Sequence, residues 1–222
     1  MDVVLTIAFS CGVYCMHLLI NALSMKYTVR TFDLPELQGL SKKQIDIHLA
    51  LYAGYVTHTN LILETIEKLR ESDATGNSYL IRELRRRLSF EFNGMRMHEY
   101  YFEQVEHHTV PAEVDGSFVK LVSERYGSWQ KFIDHLHEVA GTRGVGWVVV
   151  YLDTAVNTVV AAWVNDHEVG QLGGLPILLA IDLWEHAYMV DYTPADKKDY
   201  VSAYLNNLNW NIVEHRYLSR LS

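Results

Sequence analysis

Residues 175–182 read LPILLAID, an apolar run that ends in a carboxylate, and His186 follows four residues later. A run of this kind is stable only when buried, and it carries Asp182 inside with it. A buried carboxylate is costly unless a cation or several hydrogen bonds compensate it. A metal ion would do so, because Asp and neutral His both ligate through lone pairs. Equally, Asp182 could cap the next turn while His186 remains a surface group. The residues alone leave both readings open.

Composition narrows the chemistry. The 222 residues include only two cysteines, Cys11 and Cys15, but 11 histidines. A metal site in the body of the chain would therefore use imidazole and carboxylate, which suit iron, manganese and zinc. Neither a disulfide framework nor a CxxC zinc site is available. Apolar residues make up 49% and charged residues 21% of the chain, the profile of a globular protein. A net charge of −8 without long basic runs argues against nucleic-acid binding.

Ser41-Lys-Lys-Gln44 has capping-box form and predicts a helix starting there. Ile45, His48, Leu49, Tyr52, Tyr55 and Val56 then recur at helical spacing, and the pattern continues to about Arg70. A polar turn, SDATGNS (72–78), leads to a second helix over about 79–107, expected to break near Phe92-Asn93-Gly94. The two make a helical hairpin. Pro111 to Gly116 reads as a linker, followed by helices at 117–126 and 128–139. GWVVVYL (146–152) and TVVAAWVND (158–166) read as a β-hairpin, 175–182 as a short buried strand, and helices resume over 194–217. The fold class is thus α+β. A long N-terminal helical hairpin (25–110) precedes an α/β domain (111–222) with a small, about three-stranded antiparallel sheet flanked by helices.

Residues 1–24 form an apolar extension with three open readings: a mis-assigned start with Met25 as the true one, a signal or membrane anchor, or a structured extension. The first implies a cytoplasmic protein for which 1–24 are dispensable. The second implies export or membrane attachment.

Five stretches bring a family into view: IHLALYAGYVTHTN (47–60), FNGMRMHEYYF (92–102), GVGWVVV (144–150), DLWEHAY (182–188) and LNWNIVEHRY (208–217). In this order they resemble the iron/manganese superoxide dismutases, whose signature DLWEHAY closely matches. The resemblance runs from about residue 26 to the end of the chain. It implies one iron or manganese ion per subunit, held by His48, His98, Asp182 and His186. It implies that the ion cycles between +3 and +2, oxidising one superoxide to O2 and reducing the next to peroxide. A weakly active or inactive metal-binding homologue is the alternative. A zinc hydrolase on the same ligands is a weaker reading, because no spare carboxylate is placed as a general base.

The resemblance also implies supporting residues. Tyr55 matches the family's gateway tyrosine, at a spacing of seven after His48 where eight is commoner, which implies a helix without a bulge. The family's glutamine that bonds the solvent at the metal has no match: one of its two positions is Gly94, and at the other stands His167, the candidate for that role ahead of Gln171 and Arg143. The usual histidine between the ligand and Tyr55 is replaced by Leu51 or Tyr52, and its cross-interface tyrosine partner by Met189. Trp147 and Trp184 are expected to wall the pocket. A homodimer is implied, with Glu185 reaching the partner's copy of the ligand His186. Superoxide is an anion, and an acidic chain needs local positive potential to attract it, for which Arg96 and Arg143 are candidates.

Overall fold

The computed structural model describes residues 26–221. The expectations attached to residues 1–24, with Cys11, Cys15 and a start at Met25, lie outside the described residues.

Two long helices open the fold, α1 (Lys42–Asp73) and α2 (Ser78–Glu103). Ser41 caps α1 by accepting the Gln44 N–H. Buried Ile45, His48, Tyr52, Val56, Thr59, Ile62 and Ile66 fall on one stripe of α1, which packs along α2. Asp73 turns the chain by accepting the Thr75 and Gly76 N–H groups. At the far end of the hairpin Ile62, Ile66 and Ile81 form a small core of their own.

The expected break near Phe92-Asn93-Gly94 does not occur, for α2 runs unbroken through it. Gly94 faces Tyr55 of α1 so closely that a Cβ there would lie 2.6 Å from the Tyr55 ring. The glycine is a place of close packing, not a helix breaker. α2 also ends at Glu103 instead of about 107.

Helices α3 (Ser117–Tyr126) and α4 (Trp129–Ala140) lead to a sheet of β1 (Gly146–Asp153), β2 (Thr158–Asn165) and β3 (Ile177–Asp182). The order is β2-β1-β3, antiparallel throughout. β1 is central and buried over most of its length, matching its unalternating run of Val and aromatic residues. β3 begins two residues later than expected, after Pro176, which has no N–H to give the ladder. The register sets Trp147 opposite Asp182. A 3-10 turn (Glu185–Ala187) follows, and the expected C-terminal helical region divides into a 3-10 turn at Pro194–Asp196, α5 (Lys197–Asn206) and α6 (Trp210–Leu218). No helix among the described residues is long and apolar enough to cross a membrane.

One buried amide ties the hairpin to the sheet. Gln104, just past α2, donates through Nε2 to the Ala180 carbonyl (2.5 Å) and the Tyr204 hydroxyl (2.7 Å). Its Oε1 accepts from the Ala180 N–H (3.2 Å) and Arg216 (3.0 Å). Every hydrogen-bonding valence of that side chain is filled. The same tie joins the end of α2, the helix that carries His98, to β3, the strand that ends in Asp182. Gln104→Leu should leave the Ala180 amide buried without its partner and cost about 3 kcal/mol, read as a lower urea midpoint at unchanged slope. A loss below about 0.5 kcal/mol would mean that the tie is not structural.

Candidate metal centre

α1 contributes His48, α2 His98, β3 Asp182 and the following 3-10 turn His186. One ligand-type atom from each lies within 4.8 Å of all the others. Asp182 Oδ2 is 3.0 Å from His48 Nε2, 3.4 Å from His98 Nε2 and 3.3 Å from His186 Nε2. The other carboxylate oxygen, Oδ1, accepts the Trp184 N–H at 2.8 Å. Both readings of Asp182 therefore describe it at once: one oxygen caps the turn, and the other faces three imidazoles.

The donor set has a polarity that calls for a cation. His98 Nδ1 lies 2.6 Å from the Gly94 carbonyl, which can only accept, so Nδ1 carries the proton. In the neutral ring Nε2 is then a bare lone pair, directed at an ionised carboxylate oxygen 3.4 Å away. Facing acceptors repel unless a positive charge lies between them. A first-row ion with bonds of about 2.1 Å spans donors at this spacing. Three imidazole nitrogens and one carboxylate oxygen fit iron or manganese.

Burial pushes the His98 imidazole well below its usual range, and the neighbouring His48 adds to the shift. Burial also lowers His48, partly offset by its contact with Asp182. Burial alone would raise the Asp182 carboxyl, but its contacts with His186, and then with His48, hold it well below the usual carboxylate range. At neutral pH the site thus presents one carboxylate and neutral His48 and His98.

Gln44, read in the sequence only as half of a capping box, positions His186. Its amide donates to the His186 carbonyl (2.6 Å) and accepts the Val190 N–H (2.9 Å), pinning the turn that carries His186 to the first turn of α1. The expected capping box is thus only half formed, because this side chain reaches across the fold and not back to Ser41. A polar residue among the buried positions of α1 was the available clue.

His167 and Tyr55 lie beside this cluster, their ring centroids 6.0 and 5.0 Å from that of His98. The Trp147 indole N–H, which can only donate, points at His167 Nδ1 over 3.0 Å. Nδ1 is therefore the acceptor, and Nε2 carries the proton and donates to the Tyr55 hydroxyl at 2.8 Å. Tyr55 keeps its own proton for another acceptor. Burial, with the Asp182 and Glu91 charges, raises its pKa, so the hydroxyl stays protonated at neutral pH. Trp184 stacks on His167 (4.8 Å between centroids) and His186 (5.6 Å), while Trp147 presents its face or edge to His98 at 5.2 Å. Gln171 bonds instead to the Tyr151 hydroxyl and the His167 carbonyl. Leu51 is exposed, and Tyr52 is buried with its hydroxyl at the Arg30 amide and Glu99.

A family profile described as "Iron/manganese superoxide dismutases, C-terminal domain" matches residues 114–216. The chain is 32% identical to a protein named "Superoxide dismutase [Fe]" from Saccharolobus solfataricus, over 82% of this chain and 88% of that one. It is 32% identical to a protein of the same name from Aquifex aeolicus (82% and 85% covered) and 29% identical to one from Methanothermobacter thermautotrophicus (84% and 94%).

The tautomer of His167 yields a prediction. Burial lowers its pKa from 6.5 to about 4. Between those values the unfolded chain binds a proton that the folded chain refuses, so His167 removes stability as pH falls from 6.5 to 4. His167→Gln keeps the polarity, since an amide accepts through Oε1 and donates through Nε2, but it does not titrate. Relative to wild type at equal metal content, the variant should gain about 2–3 kcal/mol between pH 7 and pH 4 in urea titrations. A pH-independent difference would mean that folded His167 protonates freely.

Proposed function

We propose that this chain, which belongs to the iron/manganese superoxide dismutase family, disproportionates superoxide to O2 and hydrogen peroxide at the His48–His98–Asp182–His186 cluster. The observation that carries the reading is the bare His98 lone pair facing the Asp182 carboxylate within a buried cluster of four potential ligands. We further propose one ion per subunit, held by these four side chains. When bound, iron or manganese would supply one-electron chemistry, oxidising one superoxide and reducing another in a sequence that consumes two protons.

The chain's own residues have three tasks. Trp147, Trp184, Tyr101 and Phe102 pack around the imidazoles and exclude water. Gln44 holds the backbone of His186 in place, and the Gly94 carbonyl orients the His98 ring. The Trp147–His167–Tyr55 chain runs donor to acceptor throughout, leaving the Tyr55 proton for the cavity. The catalytic roles assigned to Tyr55 and His167 are proposals resting on that direction. The ligands come in pairs from residues 25–110 and 111–222, which supports a division of the chain into those two parts meeting at the metal. A cytoplasmic location remains our expectation, tied to setting residues 1–24 aside.

We propose a homodimer across the face that carries Glu185. Its side chain is exposed and makes no ion pair or hydrogen bond among the described residues. Beside it Ile47, Leu51, Met189 and Val190 leave about two-fifths of their surfaces exposed, an apolar patch at the edge of the metal site. A partner's copy of this face would bury the patch and let each Glu185 orient the other subunit's His186.

The function is tested by reconstituting the protein separately with iron and manganese and measuring metal content and superoxide removal together. One redox metal should give turnover, and alanine at His48, His98, Asp182 or His186 should abolish metal retention and activity. Full metal without turnover would overturn the enzymatic reading. For the dimer, Glu185→Ala should weaken association in sedimentation and lower metal content together, and unchanged values in both would remove the bridge.

A further inference from the structure

We propose that Arg87 is the cation that draws superoxide to the mouth of the site, an inference that rests on the function proposed above. The ring cluster around the ligands has an outer side. His98, Trp147 and His167 are buried, whereas Tyr55, Phe90 and Trp184 are only partly so. Phe90 joins that outer side to the inner one, with its centroid 4.7 Å from His167 and 6.2 Å from both Tyr55 and Trp184. The Arg87 guanidinium carbon lies 3.8 Å from the centroid of this same ring. One aromatic ring thus separates a solvent-facing positive charge from His167 and Tyr55 beside the cluster.

Arg87 is held in that place. Its Nε and terminal nitrogen both meet Glu91 Oε1, at 3.0 and 2.9 Å, and Glu91 is nearly buried while the Arg87 side chain is 55% exposed. The pair therefore presents its positive end to water. Other charges lie nearby, with Arg86 within electrostatic reach of Glu168. Asp166 precedes His167, and Glu168 follows it and reaches the Ser89 hydroxyl. Without Arg87 no cation would stack on Phe90, and the nearly buried Glu91 would lose its ion pair. The arginines suggested by the sequence do not fill this place. Arg96 is paired with Glu99 at 2.5 Å and lies over Tyr27 and Phe92. No ion pair or cation–π contact among the described residues joins Arg143 to the site's rings.

The test uses metal-loaded protein and the variants Arg87→Lys, Arg87→Gln and Arg87→Glu, with Arg143→Glu as a remote change of equal charge. The rate constant kcat/KM for superoxide is measured against ionic strength. Arg87→Glu should lower it about threefold to tenfold in dilute buffer, with Arg87→Gln between that and wild type and Arg87→Lys near wild type. The gap should close toward 1 M salt, where screening acts over about 3 Å. kcat at saturation should be unchanged, and Arg143→Glu should have little effect. The association rate of azide with the metal, followed by stopped-flow absorbance, should change in the same order. Azide keeps the two readings apart. A protein that binds azide in this charge order without turning over superoxide keeps the steering role and loses the proposed function. An Arg87→Glu or Arg87→Gln protein with wild-type salt dependence for both anions overturns the steering role, as would an equal effect of Arg143→Glu.

Discussion

The structure depends on the burial of the Asp182 carboxylate. β3 is too apolar to be left in water, and it ends in a charge that the core must then accommodate. The fold handles the two carboxylate oxygens differently. Oδ1 is satisfied by the chain itself, through the Trp184 N–H. Oδ2 is given to imidazoles from three separate elements. Those elements are brought together by polar ties that have no other evident purpose: Gln104 between α2 and β3, Gln44 between α1 and the turn after β3, and the Tyr200 hydroxyl on the Asp182 carbonyl. Buried amides are expensive unless fully bonded, and Gln104 is fully bonded.

The ring cluster around this carboxylate is directional as well as apolar. An indole can only donate and a backbone carbonyl can only accept. Trp147 and Gly94 therefore act as fixed ends from which the tautomers of His167 and His98 follow. Burial keeps both rings neutral at physiological pH, so the assignments hold where the protein would work. A redox centre that must receive protons benefits from such an arrangement, because a proton donor oriented in advance needs no reorganisation at the moment of transfer.

Much of this was legible in the sequence, for reasons that differ by element. The hairpin helices announce themselves by long 3.6-residue periodicity, and β1 and β2 by Val and aromatic runs separated by a turn. The cluster His48, His98, Asp182 and His186 was reached through resemblance, since no spacing rule joins residues 134 positions apart. Periodicity misread α2, because a glycine in a helical pattern has two meanings and only the Tyr55 ring against it tells them apart. Gln44 looked like half of a capping box, since a local motif was available to absorb it. Arg87 sits in a run of arginines that reads as a solvated face, and only the stacking on Phe90 sets it apart from Arg85 and Arg86.

Gly94 and His167 are best understood as one arrangement. A side chain at position 94 would meet Tyr55 ring atoms at 2.6 to 3.0 Å, so with Tyr55 in this place no hydrogen-bonding group can reach the cavity from that point of α2. The loop after β2 sets His167 against Tyr55, ring centroids 4.9 Å apart, and Asn93, the neighbour of Gly94, holds it there by donating to the His167 carbonyl at 2.9 Å. Tyr55 is thus clamped between a residue with no side chain and a residue whose ring has a single donor to offer. An amide in the same place could give one hydrogen to Tyr55 and a second elsewhere, whereas the neutral imidazole commits its only N–H to Tyr55. In this chain the neutral His167 ring therefore has no N–H left to give, while the Tyr55 hydroxyl keeps its own.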